Sequence, residues 1–310
     1  DSSLPMDGLI ESKQKAEAFR LEAVAFLEKG DTQNALTAYD QALEAARATE
    51  ESSFIDWIYT CRAAAASELE SPDAELIELK RILLRATEAR TAFRASYATA
   101  RIYELRRDFK KALFYNRFAI EHAERLGDKL SIFGAQNQSG MLLVVDSRFE
   151  EAETLYRRAL ESAGPIEASV IAPAYRAVLI DNLGYCLLAL DRTSEGLALV
   201  HEAFDVIESQ GAPSLSVFPL LDLCFGYLKL DRFAEARYFG EAGLERVSLC
   251  GDPGVEKSFL YLLGETCHLA GDAESAESYF DRLAALYPEF RNLRAYLEVF
   301  DFRNVINLRA

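Results

Sequence analysis

"GETCHLAGDAESAESYFDRLAALYP" (residues 264–288) sets a glycine, a small-residue turn, an alanine, an aromatic residue and a proline in fixed order. Gly264 and Ala276 stand twelve residues apart, one on each side of the turn, and Phe280 follows Ala276 by four. A helix, a tight turn and a second antiparallel helix would bring the two small residues face to face. Only small side chains fit where two helices cross closely, and a large neighbour such as Phe280 then fills the gap to the next pair. Pro288 stops the second helix, because proline cannot continue the hydrogen-bond ladder.

The same spacing recurs. "GDTQNALTAYDQAL" (30–43), "RDFKKALFYNRFAI" (107–120), "SRFEEAETLYRRAL" (147–160), "DRTSEGLALVHEAF" (191–204) and "DRFAEARYFGEAGL" (231–244) align with "GDAESAESYFDRLA" (271–284). The small residue of each block is Ala35, Ala112, Ala152, Gly196, Ala236 or Ala276. Twelve residues before it stands Ala23, Ala100, Gly140, Gly184, Cys224 or Gly264. The interval from Ala35 to Ala112 leaves room for one degenerate unit at 52–90, with its turn at "ELESPD" (68–73). Self-similarity at a fixed period is the signature of a repeat array.

This pattern resembles the tetratricopeptide repeat, most closely at Leu260, Leu263, Gly264, Ala276, Phe280 and Pro288 and at Gly140, Ala152, Tyr156 and Ala159. The period of about 40 exceeds the family's 34 and is similar to the extended repeats of kinesin light chains and peptide-sensing bacterial regulators. The resemblance covers roughly residues 11–290. It implies an all-α fold: a right-handed superhelical solenoid of about seven helix-turn-helix hairpins. Residues 1–10 form an N-terminal extension, and residues 291–310 a C-terminal capping helix. That last stretch, with Leu293, Tyr296, Leu297, Phe300, Val305 and Ile306, reads as the cover an array needs over its terminal apolar face. The alternative is a docking segment for another chain or domain.

The bulk properties agree. Half of the 310 residues are hydrophobic, and Gly and Pro are sparse at 16 and 8. A net charge of −16 disfavours nucleic acid and anionic membrane as direct partners. Between Lys80 and Lys111 the local charge is nevertheless +7, against −23 for the remainder. No apolar run is long enough to span a membrane. Cys61, Cys186, Cys224, Cys250 and Cys267 form no CxxC, and read as small hydrophobes of a reducing, cytoplasmic compartment. The opening Asp1-Ser2-Ser3 lacks an initiator methionine, as expected of an excised or processed piece.

No catalytic motif is present. His122, His201 and His268 are scattered, and no HExxH, GxSxG, GxGxxG or P-loop pattern occurs. Neither a metal nor a cofactor is expected, and the chain reads as a non-enzyme. Acid pairs such as Glu150-Glu151 fall at helix starts, where the macrodipole favours them.

Two surfaces are candidates for binding. Read at helical spacing, the first helix of each repeat offers a stripe to the inner wall: Asn137, Met141 and Val144, then Asp181, Tyr185 and Leu188. Next come Leu221, Phe225 and Leu228, then Tyr261, Glu265 and His268, with Asn182 and Asp222 beside them. Apolar anchors with a few amides and acids suit an extended peptide or a partner helix. The second candidate is basic. Arg90, Arg94, Tyr97 and Arg101 share one helix stripe, and Arg62 on the preceding hairpin is expected to face them, so that together they hold an acidic segment. The expected function is therefore a non-catalytic scaffold that binds a protein or peptide on its concave surface. The alternatives are a peptide-sensing regulatory domain of a larger protein and an accessory subunit of an enzyme complex.

Overall fold

The structure is a computed structural model and describes residues 6–28, 31–66, 73–165, 169–250, 252 and 254–310. Among these the chain is helical and contains no strand. Seven consecutive helix pairs follow one another: α1 (Met6–Glu28) and α2 (Thr32–Arg47), α3 (Ser52–Ala66) and α4 (Asp73–Arg85), α5 (Ala89–Leu105) and α6 (Phe109–Leu126), α7 (Lys129–Val145) and α8 (Phe149–Ala163). They continue with α9 (Pro173–Ala189) and α10 (Thr193–Ser209), α11 (Val217–Lys229) and α12 (Phe233–Arg246), α13 (Val255–Leu269) and α14 (Ala273–Ala285). A short α15 (Leu293–Val299) closes the series. The degenerate unit occupies α3 and α4; most of its expected turn lies outside the described residues.

The turn inside the five repeats from α5 onward has one construction. Arg107, Ser147, Asp191, Asp231 and Gly271, the first letters of five of the six aligned blocks, all have positive φ, between 55° and 82°. At each, the next amide reaches back to a carbonyl five residues earlier: Asp108 N to Tyr103 O, Arg148 N to Leu143 O, Arg192 N to Leu187 O, Arg232 N to Tyr227 O and Asp272 N to Cys267 O, at 2.8–2.9 Å. This left-handed close satisfies carbonyls that a helix end would otherwise orphan. The following residue opens the second helix in one of two ways. Asp31, Asp108 and Asp272 accept a bond from the amide three residues on, a side-chain cap that satisfies one of the helix's orphan donors. Arg148, Arg192 and Arg232 instead pair with Glu151, Glu195 and Glu235 three residues on. These pairs are exposed, so water screens them and they add little to stability.

Residues up to Leu142 form one compact unit and those from Leu143 a second. In the first, Tyr39, Phe54, Trp57 and Ile58 pack with the alanines of α1 and α2, and Leu79, Ile82, Ile102 and Leu142 pack around α5. The buried Asn116 amide ties α6 to α7 by donating to Ala135 O and Ser139 Oγ, both at 2.6 Å.

In the second unit, α9 crosses α10 where Gly184 meets Gly196. A methyl group on Gly184 would lie 2.6 Å from Val200 Cγ2, and one on Gly196 would lie 2.8 Å from the Gly184 carbonyl oxygen. The alignment of small residues twelve apart is thus a real backbone contact. At the equivalent place in α13, a Cβ on Gly264 would overlap the buried Phe280 ring. Gly264→Ala is therefore expected to destabilise the chain by roughly 1–3 kcal/mol through overpacking. Urea unfolding followed by far-UV circular dichroism reads this directly; an unchanged midpoint would refute the close crossing. Four cysteines are buried, Cys250 is half-buried, and all five are free thiols.

Candidate functional site

In the second unit the first-helix stripe forms a continuous set. Asp181 and Tyr185 on α9, Leu221, Asp222 and Phe225 on α11, and Tyr261 and Glu265 on α13 are all buried, and Asn182 is half-buried. The Tyr185 and Phe225 ring centroids lie 6.2 Å apart. Val144, Leu188 and Leu228 are buried, whereas His268 is exposed.

The chain's own closing segment lies against Tyr185, Asp222 and Tyr261 of this set. The helix expected over 291–310 covers only α15. At Phe300 the backbone becomes extended, with φ −105° and ψ 129°, and the chain then runs back across the first helices. Phe302 meets the Tyr261 ring at 6.2 Å. Arg303 donates to Leu228 O (3.1 Å) and Asp231 Oδ1 (2.6 Å) at the end of α11. Asn307 donates to Val144 O (2.7 Å) and Ser147 Oγ (3.0 Å) and accepts from the Tyr185 hydroxyl (3.1 Å). That hydroxyl also accepts from Leu308 N at 2.8 Å. Arg309 Nη2 donates to Asp222 Oδ2 at 2.6 Å. Its guanidinium lies 4.3 Å from the Tyr185 ring centre and 4.7 Å from that of Phe218.

Burial raises the affinity of these carboxyls for protons. It pushes Asp222 up to about 6, even though Arg309 pulls the other way. Asp181 is held well above the usual carboxylate range by burial and by the nearby charge of Asp222. Burial, with the charge of Asp301, pushes Glu265 up to about 7.

The remaining predicted residues belong to the first unit. Asn137 and Met141 on α7 line one recess of about 280 Å³ together with Tyr97, Arg101 and Glu104 on α5. The peptide stripe and the basic stripe thus meet there. Arg101 pairs with Glu104 at 2.9 Å. Arg90 pairs with Glu88 at 2.9 Å and lies 4.7 Å from the Trp57 ring centre. Arg94 is exposed. Arg62 turns elsewhere, to Asp40 at 2.5 Å and Glu75 at 3.5 Å. The structure therefore gathers Tyr97 and Arg101 with Asn137 and Met141, and leaves Arg62 apart.

Sequence reasoning missed Phe218, Arg303, Asn307 and Arg309. The signal lay in "DFRNVINLRA" (301–310), where two arginines and two amides interrupt the apolar residues. A helix that only capped an apolar end would need none of them.

Residues 226–289 match the family model described as tetratricopeptide repeat. No curated protein matches the chain by sequence. Among solved structures, the apo form of RapI is similar with a TM-score of 0.68 at 11% identity, over 91% of this chain and 79% of that one. NprR in complex with its cognate peptide NprX gives 0.64 at 16%, over 93% and 82%. The signal transduction ATPase with numerous domains PH0952 from Pyrococcus horikoshii, which carries a tetratricopeptide repeat sensor, gives 0.64 at 14%. That match covers 93% of this chain and 45% of the ATPase. At such identities the likeness is one of fold. Among the described residues no helix is long and apolar enough to cross a membrane. Paired helices that cross at small residues, a shared left-handed turn and a family match over residues 226–289 make the chain similar in fold to tetratricopeptide-repeat proteins.

Proposed function

We propose that this protein is a non-catalytic interaction module whose second unit binds an extended peptide segment across α9, α11 and α13. One observation carries the reading: residues 302–309 already lie across that face, held by side-chain and backbone hydrogen bonds at successive helices. A face that accepts its own chain in this way has the aromatic anchors and the polar groups that extended-segment recognition needs. The residues that carry binding are Asp181, Asn182, Tyr185, Leu221, Asp222, Phe225, Tyr261 and Glu265. The fold similarity to NprR bound to its peptide and to a repeat sensor favours a sensory form of the same activity, in which occupancy is passed to a further domain. The recess at Asn137 and Arg101 is a secondary contact in this reading.

The test is selection from a phage-displayed random-peptide library. The target is the full chain with its closing segment loosened by Asn307→Ala and Arg309→Ala. Enriched peptides are expected, and their binding should be lost in a chain that also carries Tyr185→Ala and Phe225→Ala and keeps its helicity. No enrichment, or binding that survives the added pair, would remove the face from the function.

A further inference from the structure

The Arg309 site is built like a receptor pocket. Its carboxylate, Asp222, is completely buried, and a second buried carboxyl, Asp181, lies near enough for the two charges to interact. The Tyr185 and Phe218 rings each lie within 5 Å of the guanidinium carbon, at 4.3 and 4.7 Å. A planar, weakly hydrated guanidinium suits aromatic faces beside a carboxylate, whereas a lysine ammonium offers neither the plane nor the fork.

The pocket is also incompletely satisfied by its present occupant. Asp181 Oδ1, Asp222 Oδ1 and Arg309 Nη1 are buried and find no hydrogen-bond partner among the described residues. Buried polar groups are nearly always paired. Arg309 makes one charged hydrogen bond here, to Asp222, although a guanidinium can offer a fork of two.

The rest of the segment follows the repeat. Lys229 donates to Leu188 O (2.8 Å) and Asp191 Oδ1 (2.6 Å) at the end of α9. Arg303 takes the matching carbonyl and acid, Leu228 O and Asp231 Oδ1, at the end of α11. The segment thus completes at α11 a contact that the array makes for itself at α9.

We infer that residues 302–309 are a built-in competitor for a pocket that selects arginine. A partner segment carrying an arginine binds at Asp181, Asp222, Tyr185 and Phe218 by displacing Arg309. The inference rests on the peptide-binding reading of this face and adds the class of ligand and the regulation. The chain's net charge of −16 favours a basic segment over an acidic one.

The experiment uses a fluorescent synthetic peptide, DFRNVINLRA, and its analogue with lysine in place of the last arginine. Both are titrated into the full wild-type chain and into the Asn307→Ala, Arg309→Ala chain, with folding checked by circular dichroism. The loosened chain should bind the arginine peptide at least about tenfold more tightly than wild type, and the lysine peptide at least about tenfold more weakly than the arginine peptide (about 1.4 kcal/mol each). Adding Asp222→Asn to the loosened chain should erase the preference. Equal affinity of wild-type and loosened chains would overturn the competition. Equal binding of the two peptides would overturn arginine selection, while leaving the face as a peptide site if library peptides still depend on Tyr185 and Phe225. Failure of both peptides, with library binding intact, would overturn the inference alone.

Discussion

Tyr156→Ala is expected to cost roughly 3–5 kcal/mol of stability, the range for emptying a large buried aromatic site. Tyr156 lies on α8 in the slot four residues after Ala152, and its side chain is fully buried. The repeat uses this position to fill the space that small residues leave at the helix crossings, so the surrounding backbone has little freedom to collapse into the void. A second substitution separates shape from polarity. The Tyr156 hydroxyl is buried and has no hydrogen-bond partner among the described residues. Tyr156→Phe keeps the ring and removes an unpaired polar atom, so it should be neutral or stabilising. Urea unfolding of the three chains side by side gives both differences. A cost below about 1 kcal/mol for alanine, or a large loss for phenylalanine, would contradict this account of the slot.

The same positions show how much of the molecule was legible in the sequence. Gly184, Gly196, Gly264 and Ala276 were readable because steric crowding admits only the smallest side chains there, and the structure places Gly184 directly over Gly196. The hairpin turns were only half readable. Gly271 announces a left-handed residue, but Arg107, Ser147, Asp191 and Asp231 adopt the same conformation at the same place without glycine. There the repeat's hydrogen bonds, not the residue's own preference, fix the backbone. The proposed stripe on α9, α11 and α13 was readable as a face, because helical spacing alone puts Tyr185, Phe225 and Glu265 on equivalent positions. Its occupant was not. Asn307 meets Val144 and Tyr185 across more than a hundred residues of chain, and no local pattern reports so distant a contact. The apolar residues of 291–310 suggested a cover; the polar ones, which decide where it lies, gained meaning only from their partners.

The buried acids of that face give the second large effect, a dependence of stability on pH with an uncommon sign. Glu265 is raised from an ordinary value of 4.5 to about 7, by burial and then by the charge of Asp301, with Arg303 opposing. Asp222 is raised from 3.8 to about 6, by burial against the pull of Arg309. In both cases the native chain holds a proton that the unfolded chain has already released. Unfolding then loses protons, so stability falls as pH rises through the window from the ordinary value to the native one. The carboxyls that are lowered, such as Asp272 at about 2, lose their contribution only below the ordinary value of 3.8, outside this window. His122 and His201 are lowered by burial and act with the opposite sign. A variant comparison cancels them. Glu265→Gln keeps the shape and removes the ionisation, so it should be more stable than wild type at pH 7.5 by roughly 1–3 kcal/mol, from about 1.36 kcal/mol for each pH unit of displacement. The advantage should shrink towards zero as the pH is lowered to about 4.5, where Glu265 is protonated in the native chain. Thermal unfolding of both chains across this range measures the gap. A gap that stays constant with pH would mean that Glu265 is not held neutral by its surroundings, and that the face is wetter than its burial implies.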